Sequence, residues 1–359
     1  MGDALILGGY GNFGKRIAAA LARHGVPAII AGRRREKAEA LAAQLKAKAV
    51  ALDAERDLDA YLASAKPAVV VNTCGPFQGK DYRVAEACIR HKTHYIDLAD
   101  GRDFVTGIAR LDAAARAAQV CVISGASTVP GLSSAVVEHF LPEFSALEDL
   151  TYGVAPGQKA ERGLATTQGI LTYIGKPMKP ARGDDGRRYG WQDLYRQQYP
   201  EIGSRWMANC DIPDLDLLPE RYGIKRIHFS AGIENPLLHL GLFGISWLVR
   251  LGLPLNLPRH AEFLLRASRR FDAFGTADGG MHVLLRGAGR DGKPHARRWF
   301  IIAKNGDGPQ IPCVPAILLA RMLARSDAPT PGACACVGLV SLEDYLEELK
   351  PFSVKTYDA

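Results

Sequence analysis

The chain lacks the features that would place it in several large protein classes. Its seven cysteines (Cys74, Cys88, Cys121, Cys210, Cys313, Cys334 and Cys336) include no CxxC pair, and no histidine flanks Cys334 and Cys336 at metal-ligand spacing. No metal site is expected. Thiols set within apolar stretches read as small core residues in a reducing compartment. The N-terminus, MGDALILGGYG, has no basic stretch, long apolar run or small-residue cleavage site. It therefore reads as a buried strand and not as an export signal. GxSxG, internal repeats and low-complexity tracts are missing as well. The net charge is +7, with Arg182, Arg187, Arg188, Arg196, Arg205, Arg266, Arg269 and Arg270 among the cations beyond residue 180. These arginines are spread over different elements and no nucleic-acid motif accompanies them, so no nucleic-acid partner is expected. A solvated face, an acidic substrate and an anionic membrane surface all remain open readings.

What is present is regular. The chain has 359 residues, 47% of them apolar, which is ample for two domains. Short apolar runs at 4–8, 28–32, 49–54, 68–75, 93–100 and 120–125 alternate with amphipathic helical segments such as NFGKRIAAALARHG and REKAEALAAQLKA. Strands without polar alternation, separated by helices, imply a parallel sheet covered on both faces, and right-handed crossovers make it doubly wound. The expected fold class is α/β, a Rossmann-type sheet over the first ~125 residues. Beyond residue 145 the pattern changes to longer, polar-interrupted strands. A hairpin, MHVLLRGAG and ARRWFIIAKNG joined by RDGKPH, lies in this stretch. That reads as an α+β region with antiparallel pairing.

The segment Gly9-Tyr10-Gly11-Asn12-Phe13-Gly14 matches GxGxxG. Alone the pattern is weak. Here it follows a buried strand that ends at Gly8 and opens a helix, which is the context a dinucleotide needs. Gly9 allows the tight turn, Gly11 the approach of a pyrophosphate, and Gly14 close helix–strand packing. The helix start offers amide donors to the phosphates. At the end of the second strand an NAD-selective domain carries an acid that accepts from the ribose 2′-hydroxyl. This chain has Gly32-Arg33-Arg34-Arg35 there. A guanidinium pairs with a 2′-phosphate that a carboxylate would repel, so Arg33 and Arg34 point to NADP(H). Asp53, ending the third strand, is read either as an adenine contact or as a cap for the following turn.

Three further loops are expected at the ligand edge of the sheet. The loop Asn72-Thr73-Cys74-Gly75-Pro76-Phe77 suits the nicotinamide ribose. Asp97 could serve as acid/base or bind an ammonium, or could simply shape a turn. Gly125-Ala126-Ser127-Thr128 could present amides or hydroxyls to nicotinamide or substrate, with Thr128 the second catalytic candidate. No histidine is placed to activate Cys74, so a packed thiol is the expectation.

The blocks LILGGYGNFGKRIAAALA, VVVNTCGPFQGKDYRVAEACIRHKTHYIDLADG and ISGASTVPGLSS resemble the saccharopine dehydrogenase-like NADP-binding family, and IPCVPAILLARMLA with GLVSLEDYLEEL resembles its C-terminal return. The resemblance covers residues 1–140 well and 305–350 loosely. It implies a Rossmann domain (1–130), an inserted α+β domain for substrate or dimerisation (131–308), and a C-terminal helical segment (309–359) packing back on the first domain. It also implies hydride transfer between NADP(H) and an imine or carbonyl. This sequence departs from the family where Gly125-Ala126-Ser127-Thr128 stands, since relatives often carry an Asp shortly before the Pro-Gly.

Two features remain beyond the cofactor domain. Arg205, near Trp191 and Trp206, is a candidate for holding a substrate carboxylate or an ordinary packing residue. Residues 236–257, PLLHLGLFGISWLVRLGLPLNL, are strongly apolar but broken by Gly241, Gly244, Gly252 and Pro254, with Arg250 inside. They fail as a membrane span and read either as a buried or interface helix or as a peripheral membrane contact. The expectation is a cytoplasmic, NADP(H)-dependent homodimeric oxidoreductase acting on a small-molecule substrate. The alternatives are a non-catalytic NADP sensor or scaffold, and a membrane-associated reductase of a lipophilic substrate.

Overall fold

The computed structural model describes residues 1–359 except 185, 326, 328 and 359. Its strands, in chain order, are β1 (Ala4–Leu7), β2 (Ala28–Gly32), β3 (Lys48–Ala51), β4 (Val69–Asn72), β5 (His94–Asp97), β6 (Cys121–Ser124) and β7 (Phe144–Ala155). They continue with β8 (Tyr195–Tyr199), β9 (Gly203–Asn209), β10 (Arg226–Gly232), β11 (Gly279–Gly289), β12 (Pro294–Ala303), β13 (Gly332–Ala335) and β14 (Val354–Asp358). The chain forms two compact units, Met1–Leu132 with Gln310–Glu348, and Ser133–Pro309 with Leu349–Ala359.

The first unit is a seven-stranded, all-parallel sheet in the order β13-β6-β5-β4-β1-β2-β3. β1 and β4 are buried along their whole length, which is why neither shows polar alternation. Chain order reverses at the β1/β4 boundary, so the crevice for a ligand opens where the loops after these two strands part. The six expected strands are present. β13 is an addition: Gly332 to Ala335 pair with Cys121 to Ser124 at the β6 edge. Its sequence, GACA, is too short and small to register as a strand without that neighbour.

The helix Val314–Ala324 supplies Ala316, Ile317, Leu319, Ala320 and Leu323 to the core that also holds Ile6, Ile17, Leu21 and Ile30. The helix Leu342–Leu349 closes on it through Glu348, whose nearly buried carboxylate takes Arg23 at 3.4 Å, His24 at 2.7 Å and Arg321 at 3.2 Å. The C-terminal segment is therefore helical and Rossmann-packed only as far as this helix. Its last residues differ from the expectation, because Val354–Asp358 form β14 and pair with β12 in the second unit.

That second unit is a seven-stranded mixed sheet, β14-β12-β11-β7-β10-β9-β8. The expected hairpin is β11–β12, with Met281 opposite Ile301. Pairing departs from the antiparallel expectation where β7 and β10 run parallel, Leu150 opposite Ile227. A parallel neighbour requires a long crossover, and residues 156–225 supply it. On one side Tyr152 donates to the buried carboxylate of Asp214 at 2.9 Å, and the Ser133 hydroxyl donates to the same oxygen.

Because Ile317 lies inside the same core as Ile6 and Ile17, Ile317→Ala should cost about 3 kcal/mol through lost burial and a residual cavity. Urea unfolding followed by circular dichroism should show the midpoint of the first unit fall accordingly. An unchanged transition would mean that this helix is only an overlay.

Candidate dinucleotide site

The glycine loop joins β1 to the helix Asn12–Arg23. Gly8 has φ +72°, a conformation that a side chain strains. A Cβ on Gly14 would lie 2.3 Å from the Gly8 carbonyl oxygen, and one on Gly9 would lie 2.9 Å from the Ile6 oxygen. These glycines let the helix start close to the strand end. The cap position is Gly11, which brings no side-chain acceptor to the first turn. The first-turn amides and the positive helix end therefore face the place where a pyrophosphate docks. The cradle fits a dinucleotide on this ground: side chains at these positions would fill it.

Tyr10 projects from the loop against the end of β2. A Cβ on Gly32 would be 2.4 Å from its ring, and its hydroxyl accepts from the Arg34 amide at 3.0 Å. The loop thus holds the backbone that carries Arg33 and Arg34. Both arginines are exposed, and among the described residues neither forms an ion pair, whereas Arg35 pairs with Glu39 at 3.5 Å. Asn12 and Phe13 lie in the first helical turn, where Asn12 Oδ1 accepts from Arg16.

Asp53 follows β3 and shapes its own turn. Its Oδ1 accepts from the Glu55 amide at 3.0 Å, its amide donates to Asp57 at 3.0 Å, and Arg56 pairs with it at 3.3 Å. These bonds shape the turn that follows β3.

Strand ends on the other side of the crevice are sewn together. Thr73 Oγ donates to the Leu7 carbonyl at 2.8 Å, tying the end of β4 to the end of β1. Asn72 is buried; its Oδ1 accepts from the Cys74 amide at 3.0 Å and its Nδ2 donates to the Tyr95 hydroxyl at 3.2 Å. Asn72 opens the loop assigned to the nicotinamide ribose, and its amide ends the otherwise apolar run VVV. Cys74 is exposed at this turn, ahead of a cis Gly75-Pro76 bond. Desolvation by the atoms around its sulfur pushes the thiol up to about 11, against a lowering by the charge of Arg33. It stays a neutral thiol near pH 7 and not a thiolate nucleophile.

Asp97 lies deep in the fold. It is fully buried at the end of β5, opposite Asn72 in register. Oδ1 accepts from the Ala99 amide, the Ser124 hydroxyl and the Gly125 amide, each at 2.9 Å. The side chain braces the β5 and β6 loops. Burial pushes its carboxyl up to about 6, although the amides of Gly125 and Ala99 and the hydroxyl of Ser124 pull the other way. Ser127 and Thr128 are half-buried in the loop that Asp97 holds; the Ser127 amide donates to the Gly125 carbonyl at 2.7 Å. Arg205 belongs to β9 in the second unit, where it pairs with Glu234 at 3.0 Å, both side chains nearly buried. Within the second unit its charge is thus met by an internal acid.

Two measurements follow. Gly14→Ala drives a methyl group into the Gly8 carbonyl and should weaken dinucleotide binding at least about tenfold, near 1.4 kcal/mol, in a fluorescence titration. For Asp97, the folded state holds the proton more tightly than the unfolded chain, whose pKa is about 3.9. Its contribution to stability is therefore full below pH ~4 and is lost as pH rises to about 6. Asp97→Asn keeps the acceptor oxygen and should flatten that part of the Tm-versus-pH curve. A variant curve parallel to the parent would remove Asp97 as its source.

Residues 4–129 match the family model described as the saccharopine dehydrogenase NADP binding domain. No curated protein sequence is significantly similar to the chain. Among solved structures, apo histidine-tagged saccharopine dehydrogenase (L-Glu forming) from Saccharomyces cerevisiae is similar with TM-score 0.67 at 14% identity, covering 100% of each chain. An amine dehydrogenase from Mycobacterium smegmatis is similar with TM-score 0.50 at 11% identity, covering 94% of this chain and 95% of that one. At such identities the likeness is one of fold: a parallel α/β unit followed by a mixed-sheet unit. Over residues 4–129 the chain is thus similar to the saccharopine dehydrogenase NADP binding domain.

Proposed function

We propose that the chain is an NADP(H)-dependent oxidoreductase that transfers hydride to or from the carbon of a small imine or carbonyl compound. The observation that carries the cofactor choice is the exposed couple Arg33 and Arg34 at the end of β2, without an ion pair among the described residues, where the sequence Gly32-Arg33-Arg34-Arg35 has no carboxylate. Their backbone is held by Tyr10 of the glycine loop at 3.0 Å, so cation and phosphate cradle are one rigid feature. A guanidinium fork suits a 2′-phosphate in charge and geometry. The charge of Arg33 also reaches Cys74 at the β4 turn, so the two sides of the crevice are electrostatically in range.

Bound nicotinamide supplies the hydride donor or acceptor. In the reducing direction the electrophilic carbon gains the hydride, the adjoining nitrogen or oxygen takes a proton, and an amine or alcohol leaves with NADP⁺. This chemistry needs orientation more than a large set of acids and bases. Asn72, Thr73 and Asp97 serve orientation by locking the loops, and Ser127 and Thr128 lie half-buried in the loop that Asp97 holds. The dehydrogenase fold of the solved relatives supports the reading. Seven thiols without a disulfide support a reducing, cytoplasmic setting. Among the described residues no helix is long and apolar enough to cross a membrane.

Fluorescence titration should show NADPH binding at least about tenfold more tightly than NADH, and Arg33→Asp with Arg34→Asp should reverse that order. Tighter NADH binding by the parent chain would overturn the cofactor choice. A screen of amino-acid/keto-acid pairs and other carbonyls for NADPH consumption tests the chemistry. Binding without turnover of any pair would favour the sensor alternative.

A further inference from the structure

The segment 236–257 is inside out. Its helix, Pro236–Arg250, is capped by Asn235, whose side chain accepts from the Leu237 and Leu238 amides at 3.0 and 3.3 Å. The residues it buries fully are polar. His239 Nδ1 accepts from the Ile233 amide at 3.2 Å, and its carbonyl accepts from Trp191 Nε1 at 3.2 Å. The Ser246 hydroxyl takes a bond from Gln192 at 3.4 Å, and Gly175 approaches so closely that a Cβ there would be 2.3 Å from the Ser246 carbonyl. Arg250 donates to Gln192 at 2.6 Å. These bonds fix the rotation of the helix about its own axis and leave Leu237, Leu240, Gly241, Gly244, Leu248 and Leu251 on the outward stripe at helical spacing.

Exposure along this stripe is high for such side chains: Leu237 71%, Trp247 40%, Leu248 44% and Leu251 73%. The apolar surface continues along the chain through Leu253 and Leu255 to Phe263 at 66% and Phe274 at 80%. Single exposed leucines mean little, but a run of this kind marks a contact surface. The same stretch, 236–274, carries Arg250, Arg259, Arg266, Arg269 and Arg270 against only Glu262 and Asp272. Both acids are already engaged, Glu262 with Arg266 at 3.5 Å and Asp272 with Arg162 at 3.0 Å. Among the described residues Arg259, Arg269 and Arg270 form no ion pair.

We propose that this face docks on a bilayer surface containing anionic phospholipid, with the helix Pro236–Arg250 lying in the plane of the interface. Charge decides against the obvious competitor. A second copy would meet this face with the same arginines and no spare acid, because a two-fold interface sets a patch against itself. Headgroup phosphates supply the missing anions while acyl chains take the leucines, the tryptophan and the phenylalanines. The helix has 15 residues. At 1.5 Å each it reaches roughly 22 Å, short of the ~30 Å hydrocarbon core, so it lies on the membrane and does not span it. The inference is independent of the oxidoreductase reading.

The test is co-sedimentation of the full chain with phosphatidylcholine vesicles with and without 30% phosphatidylserine. Binding to the anionic vesicles should exceed that to phosphatidylcholine alone by about tenfold or more and should weaken with added salt. Leu237→Asp with Leu251→Asp, both at exposed positions, should abolish binding with the thermal transition unchanged. Arg266→Glu with Arg269→Glu and Arg270→Glu should erase the preference for phosphatidylserine. Absence of binding to anionic vesicles, or binding indifferent to the leucine changes, overturns the proposal. So does sedimentation velocity showing a dimer that those leucine changes dissolve, since a second copy would then be the occupant.

Discussion

The contact between the start of the helix Asn12–Arg23 and the end of β1 sets the terms for the first unit. With no side chain on Gly14, the helix closes to within a distance that any Cβ would violate, 2.3 Å from the Gly8 oxygen. Three consequences follow from that approach. Ile17 and Leu21 reach the core beneath the sheet, where Ile317 and Leu323 of the C-terminal helix meet them. The positive helix end is aimed into the crevice at the β1/β4 switch point. Tyr10 is set against Gly32 and receives the Arg34 amide, so the backbone that carries Arg33 and Arg34 is held by the glycine loop itself.

Polar groups at strand ends do a second kind of work. Parallel strands finish with carbonyls and amides that no ladder satisfies, and here short side chains take them up. Thr73 bonds the end of β1, Asn72 turns the chain after β4, and Asp97 gathers amides from two loops. The cost falls on Asp97, a carboxylate held with no exposure and therefore a group whose ionisation opposes the folded state. A braced edge of this sort gives the β5 and β6 loops a definite geometry.

The second unit shows the converse arrangement. Its helix Pro236–Arg250 spends its polar residues inward, on Trp191, Gln192 and Ile233, and shows leucine outward. An apolar sequence here is no sign of a core. Hydrogen bonds that fix His239 and Ser246 outrank the gain from burying a further leucine stripe, because breaking them would strand buried donors and acceptors at ~1–3 kcal/mol each.

Much of the first unit could be read from the chain in order. Apolar runs without alternation, the placement of GxGxxG between strand and helix, and the basic triplet ending β2 are local patterns, and local patterns survive translation into structure. The amino-acid sequence by itself determined the parallel α/β sheet, the glycine cradle and the sign of charge beside it. Tertiary structure alone decided the rest. That Asp97 braces loops, that Arg205 answers Glu234, that GACA becomes an edge strand, that β7 and β10 run parallel and that a leucine-rich helix faces outward each depend on a partner far away in sequence. A side chain's role is set by the neighbour that satisfies its charge, hydrogen bond or apolar surface, and sequence spacing carries no record of neighbours brought together only by folding.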